Sequence, residues 1–397
     1  MTVGPGIAGP RIDPETVGSG TIDSGTIDSG AINSGTLRLG RRIAVVLFNL
    51  GGPDDAASVK PFLFNLFNDP AIIGLPGVLR TAVARLISSR RETSAQANYA
   101  MMDAGGGSPL LAETRRQAAA LETVLAAGHP GDEVRTFIAM RYWHPLTEET
   151  AIDVAAYGPD EVVLLPLYPQ FSTTTTQSSL KAWGETYAGS GRSRAVCCYP
   201  EAKGWIAAQV ESVRSAIADK ATKPIRILFS AHGIPESLVT KGDPYQEQVE
   251  TTVAAILAQI GAETGIQAGE LDHVLCYQSR VGPMKWLGPS TPEGLAQASK
   301  DGVGVIVVPV AFVSEHIETL VELDIEYREL AHSLGVAPYV RTPTVSLAPS
   351  FIGMLAGAVA EVLDRQADSP AIAPCGQGCK ARWKACPYQA EVERRAA

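Results

Sequence analysis

Short, largely apolar runs recur along this chain, at Ile43–Phe48, Val134–Met140, Glu161–Leu167, Arg194–Cys198, Ile225–Ser230, His273–Tyr277 and Gly304–Val310. Continuous hydrophobicity, unlike alternation, suits strands covered on both faces, which is the environment of a parallel sheet. Helical stretches such as Leu110–Ala127 and Trp205–Ala218 lie between them, giving the strand–helix–strand order of an α/β fold. The chain has 397 residues, 45% of them hydrophobic, whereas ordinary domains run to roughly 100–200 residues. Two similar halves are therefore expected, 41–185 and 186–365, with their boundary in the segment 175–190.

The ends of the chain differ in kind from this middle. Residues 19–38 repeat a five-residue unit rich in Gly and Ser. Such composition loses much backbone entropy on ordering and offers little apolar area in return, so residues 1–40 are expected to form a mobile tail. Residues 366–397 form a cysteine-rich extension. The net charge of −9 and pI near 5.3 exclude a nucleic-acid partner, because phosphate binding depends on clustered Lys and Arg. No stretch reaches the roughly 18–20 apolar residues of a spanning helix, and the N-terminus lacks a basic region followed by an apolar core. A cytoplasmic location is expected. There the six cysteines remain thiols or metal ligands rather than a disulfide scaffold.

The most unusual chemistry follows the strands. In open parallel sheets ligands bind beyond the carboxyl ends of the strands, so Asn49–Pro53, Arg141–Pro145, Tyr168–Ser172, His232–Pro235, Gln278–Pro283 and Ser314–His316 are expected to converge on one cleft. His232 follows an apolar run and precedes Gly233 and Pro235, which puts an imidazole titrating near neutrality on a tight turn. Taken alone, a histidine there is more often structural. Glu318, Glu322 and Glu326 recur at i, i+4 and i+8 and share one helix face. Like charges at that spacing repel by about 0.2–0.5 kcal/mol per pair. The row is either a solvated face or a path that attracts a divalent cation. No glycine-rich turn is followed by Gly-Lys-Ser or Gly-Lys-Thr, and Gly51-Gly52-Pro53 is too short for a dinucleotide loop.

Taken together these segments resemble ferrochelatase. Phe229–Pro235 is similar to that family's histidine signature and Gly242–Tyr245 follows it at a short interval. Ser279–Pro289 and Val308–Tyr327 are close to the family pattern almost residue for residue. The resemblance spans about residues 43–363 and implies two Rossmann-like, chelatase-type halves with a porphyrin cleft between them. It implies that His232 is the metal-site base and that Glu318 faces it across the cleft, with Glu322 and Glu326 behind. Arg141 and Tyr142 then lie on the opposite face of the macrocycle, and Met284 and Trp286 line the pocket. The implied reaction is insertion of Fe²⁺, as substrate, into protoporphyrin IX. A coproporphyrin-type or other tetrapyrrole chelatase is the nearest rival. A two-domain small-ligand binding protein is the rival from another class.

Two segments remain. Residues 71–91 mix aliphatic side chains with Arg80, Arg85, Arg90 and Arg91, a pattern that fits either peripheral contact with an anionic membrane or a core helix with solvated arginines. The resemblance places this stretch at the cleft mouth and favours the membrane. Cys375, Cys379 and Cys386 crowd the C-terminal extension, and soft thiolates select zinc or an iron–sulfur cluster. Some ferrochelatases carry a 2Fe–2S centre on three tail cysteines and one from the body. The body position where such a cysteine might sit is Thr173 here, leaving Cys197 or Cys198 as the fourth ligand, with Cys276 as a packing residue.

Overall fold

The computed structural model describes residues 40–102, 105–218, 224–265, 270–280, 284–366, 372–373, 379–380 and 382–396. The pentad repeat and Cys375 lie outside them. All seven expected strands form. The first sheet has the order β2-β1-β3-β4-β9 and the second β6-β5-β7-β8, every pairing being parallel. The first contains β1 (Arg42–Asn49), β2 (Glu133–Met140), β3 (Glu161–Pro166), β4 (Arg192–Val196) and the two-residue β9 (Ile372–Ala373). The second contains β5 (Ile225–His232), β6 (His273–Gln278), β7 (Gly304–Pro309) and β8 (Tyr339–Arg341). β4 lies beyond residue 185 yet pairs with β3 on one side and β9 on the other, and so belongs to the first sheet.

The apolar runs are unbroken because both faces are covered. On β1, Ile43, Val45 and Leu47 join a cluster with Phe229, Val308 and Phe351 that spans both sheets. Ala44, Val46 and Phe48 enter a separate cluster with Val154 and Trp183. This is the period of two expected of a strand, buried twice over. Each fully buried aliphatic side chain contributes about 1.5–3 kcal/mol.

The helices are α1 (Val59–Phe67), α2 (Gly77–Ala100), α3 (Leu110–Gly128), α4 (Thr147–Tyr157), α5 (Thr176–Thr186), α6 (Lys203–Ala218), α7 (Glu236–Thr240), α8 (Tyr245–Thr264), α9 (Thr291–Asp301), α10 (Tyr327–Ser333), α11 (Pro349–Asp364) and α12 (Pro387–Ala396), with a π-helix at Glu318–Glu326. α9 shows how sharply local sequence sets a start. Ser290 Oγ accepts from Glu293 N while the Glu293 carboxylate accepts from Ser290 N at 2.5 Å, a reciprocal cap that satisfies two otherwise orphaned donors.

Both sheets reverse strand direction of growth at one point, between β1 and β3 and between β5 and β7. Such switch points open a crevice at the carboxyl ends of the strands. His232 ends β5, and the loop leaving β7 leads into the π-helix that carries Glu318. The second switch point therefore brings together residues 86 positions apart in sequence.

Candidate active site

His232 Nε2 lies 3.4 Å from Glu318 Oε1, and His316 Nε2 lies 3.4 Å from Glu318 Oε2. One carboxylate thus stands between two imidazoles. Each ring is oriented through its other nitrogen, since His232 Nδ1 donates to the Gly233 carbonyl oxygen at 2.6 Å and His316 Nδ1 to that of Ser314 at 3.0 Å. A backbone carbonyl only accepts, so Nδ1 carries the proton in both rings and Nε2 faces Glu318. His316 also stacks on Phe312, with ring centroids 4.7 Å apart.

The electrostatics follow. Burial pushes the His232 imidazole down, but the charge and hydrogen bond of Glu318, with Glu322 behind, outweigh it and raise the pKa from 6.5 to about 9. Burial pushes Glu318 up, but His232 and His316 together hold it well below its ordinary 4.5. At neutral pH the pair is an ion pair. Its contribution from His232 is complete below 6.5 and fades as pH rises through about 9, while that from Glu318 is present above 4.5 and fades as pH falls.

The expected acidic row forms, but its members differ. Glu318 is innermost. The Glu322 carboxylate accepts four hydrogen bonds, from Ser279 N and Oγ, Gln278 Nε2 and Tyr327 Oη. Glu326 is exposed, accepts from Asn98 Nδ2 at 3.5 Å, and is pushed up by burial, Glu322 and Glu329. Trp286 packs against Gly233, and its buried Nε1 has no partner among the described residues. Met284 is exposed.

Arg141 and Tyr142 leave the end of β2, close to the π-helix, since Tyr142 shares a cluster with Tyr99, Val321 and Ile317. Tyr142 is buried and its hydroxyl donates to Asp69 at 2.8 Å. Asp69 also accepts from Arg141 Nη2 and Ser178 Oγ, and Arg141 Nε donates to Ser178 Oγ at 2.7 Å. This leaves Arg141 partly exposed and Tyr142 as its internal support. Gly51 has φ +86 in the turn after β1, and a Cβ there would stand 3.0 Å from Trp143 N, so both the conformation and the close approach favour glycine. Sequence reasoning missed Asp69 and Ser178, and it placed Gln278 and His316 among the cleft segments without giving either a role, although His316 stands two positions before Glu318.

The cysteines gather at a second place. Cys197 and Cys198 leave β4 and pack with Cys386, Phe171 and Trp383, with Cys379 beside them. Neighbouring thiols push Cys197 and Cys379 up and lower Cys386. Cys276 is buried elsewhere, 3.4 Å from the Phe229 carbonyl oxygen. Among the described residues no three His, Cys, Asp or Glu side chains are arranged to hold a metal ion, and no helix is long and apolar enough to cross a membrane.

A carboxylate thus stands between two oriented imidazoles at the switch point of a parallel sheet in an α/β fold. The ferrochelatase family model matches residues 42–363, and the chain belongs to that family, the metal-insertion enzymes of haem synthesis. The ferrochelatase of Caulobacter vibrioides (strain NA1000 / CB15N) is 56% identical over 349 residues, covering 87% of this chain and 97% of that protein. That of Hyphomonas neptunium is 53% identical over 362 residues, covering 90% and 98%. Among solved structures, SirB from Bacillus subtilis with Fe³⁺ superposes at a TM-score of 0.45 and 13% identity, covering 81% of this chain and 95% of that one.

Replacing Glu318 by Gln removes the largest influences that lift His232 and leaves the burial that lowers it, with the Glu322 charge and the Gly233 hydrogen bond still raising it. Histidine NMR should then show the His232 titration falling from about 9 toward the ordinary 6.5. A titration unmoved near its wild-type value would contradict the ion pair.

Proposed function

We propose that His232 and Glu318 form the centre at which Fe²⁺ enters protoporphyrin IX. The observation that carries this reading is the 3.4 Å contact between His232 Nε2 and Glu318. A porphyrin cannot take a metal into its plane while two pyrrole N–H groups keep their protons, so insertion needs a base and a route for the cation. The resting pair already holds one proton. An approaching divalent cation disfavours protonated His232 and releases that proton to solvent, leaving neutral Nε2 to accept the proton of one pyrrole, pass it to solvent and then accept that of the second. Imidazole and carboxylate both suit ferrous iron. Glu326 at the exposed end of the row and Glu318 at the inner end give the cation a graded path. Arg141, held by Asp69 and Tyr142, faces the macrocycle from the other side, and Met284 and Trp286 line the pocket, where the unpartnered Trp286 Nε1 supports a contact with substrate. A wall that holds the ring bent exposes its lone pairs.

His232→Ala should abolish insertion, followed as loss of porphyrin fluorescence, while porphyrin binding persists. Glu318→Gln should be nearly as damaging, and Glu326→Gln should chiefly raise the KM for iron. Near-normal turnover by His232→Ala removes the central assignment. Running the assay with coproporphyrin tests the neighbouring substrate.

We also propose a 2Fe–2S cluster held by Cys379, Cys386 and Cys197 together with Cys375. Support comes from the gathering of Cys197, Cys198, Cys379 and Cys386 in one apolar pocket, thiolates being the ligands of such clusters. When bound, the cluster supplies a one-electron redox centre and a cross-link between tail and body. Anaerobically purified protein should contain about two non-substrate irons per chain and absorb visible light. One zinc, or no metal, sinks this assignment.

Peripheral membrane contact is the third part of the reading. α2 buries only Ala84, Ser88 and Tyr99, whereas Ile72, Leu75, Val78, Leu79 and Leu86 are exposed, Val78 by 86%. Arg80 is tied to the Asn68 and Leu75 carbonyl oxygens, leaving Arg85, Arg90 and Arg91 exposed beside the apolar patch. The protein should float with anionic liposomes and lose that behaviour on Val78→Asp with Leu79→Asp. Wild-type protein that stays wholly in solution refutes it.

A further inference from the structure

We propose that Glu322 is a positioning residue that anchors the porphyrin-lining segment, and not a ligand on the iron path. It lies between Glu318 and Glu326 in sequence, yet its carboxylate is already saturated. Oε1 accepts from Ser279 N at 2.8 Å and Tyr327 Oη at 2.6 Å, and Oε2 accepts from Gln278 Nε2 at 3.1 Å and from Ser279 Oγ. A carboxylate offers about four lone-pair sites, and four donors occupy them. Binding a cation here would strip hydrogen bonds from partly buried donors, of which only Gln278 Nε2 has a second acceptor among the described residues, the Glu318 carbonyl oxygen, and leaving the others unpaired is costly.

What the carboxylate holds is unusual. Ser279 has φ +61, a left-handed conformation that non-glycine residues keep only where their surroundings impose it. Here both its N–H and its hydroxyl point to Glu322. The segment that starts at Ser279 carries Arg280, Met284 and Trp286. Its far end is fixed separately: Leu287 N donates to the Ile234 carbonyl oxygen at 3.1 Å, Glu236 N to that of Lys285 at 3.0 Å, and Trp286 bridges Pro235. Those partners immediately follow His232. The wall is thus fixed to the histidine's turn at one end and to the π-helix at the other, and Glu322 is the second attachment. This inference rests on the reading that Met284 and Trp286 line the porphyrin pocket.

The test uses the full chain and measures the KM for protoporphyrin and for Fe²⁺ separately, with porphyrin affinity read from fluorescence. Glu322→Gln puts an amide N–H₂ against donors, and Tyr327→Phe removes one donor while leaving the carboxylate in place. Glu322→Gln should raise porphyrin KM and Kd about tenfold and Tyr327→Phe about threefold, with the iron KM moving less than about twofold in both. A raised iron KM with porphyrin constants unmoved overturns the proposal, and so does any result in which both sets move together or neither moves. Should Glu322→Gln fail to fold, judged by its thermal melt, Tyr327→Phe decides alone. Trp286→Ala separates the two levels of argument, because unchanged porphyrin affinity in that variant removes the pocket reading itself, whereas weakened affinity there with no effect at Glu322 removes only the anchor.

Discussion

Gln278, buried at the end of β6, donates from Nε2 to the Glu318 carbonyl oxygen at 2.9 Å and to the Glu322 carboxylate, while its Oε1 accepts from Ser230 Oγ at 2.8 Å. Its backbone oxygen accepts from Gly233 N at 2.8 Å. One side chain and its own peptide therefore touch the strand before His232, the turn after it and the helix that carries Glu318. A buried amide left half-satisfied costs more than it contributes, so an amide with every hydrogen-bonding group used has one orientation. The spacing between His232 and Glu318 depends on that orientation, and with it the ion pair that sets their protonation.

A second charged centre is built by the same logic from a different residue. Asp69 comes from the loop after α1 and gathers Arg141, Tyr142 and Ser178 from β2's end and α5. A carboxylate inside a protein persists when charged partners and hydrogen bonds replace water, and here one guanidinium and two hydroxyls do so. Arg141 consequently has a fixed direction rather than a solvated, mobile one. The two centres differ in purpose, one tuning protons on His232 and the other holding a cation still.

The strands were legible because parallel sheets bury both faces and so leave unbroken apolar runs. β8 (Tyr339–Arg341), three half-buried residues long, carries no such run, and β9 is shorter still. Membership was not legible either, as β4 shows, because sheet choice depends on where a crossover lands. His232 and the acidic row could be read from their place after strands and from spacing. The difference between Glu318 and Glu322 could not, since it lies in Ser279, Gln278 and Tyr327, whose donors reach Glu322 only once the π-helix passes the end of β6. Asp69 has no motif around it, and its role appears only when three distant segments meet.

The C-terminal extension is not an appendage to this machinery. Glu247, in the first turn of α8, accepts from Lys380, Arg382 and Trp383 Nε1, and despite burial these donors lower it to about 2. Gly242, at φ +96, lets Lys384 approach within 3.2 Å of where a Cβ would stand. Gln248, the next residue, accepts from Phe171 N and reaches Cys198 Sγ at 3.4 Å. At the start of the same helix, Tyr245 donates its hydroxyl to the His232 carbonyl oxygen at 3.0 Å, and its own N–H goes to Asp243. Asp243 in turn accepts from Ser172 and Thr173. One end of α8 therefore carries both the dock for the cysteine-bearing tail and a bond to the backbone of His232. Because a helix moves as a rigid element, the tail and His232 share a positional constraint without sharing a contact.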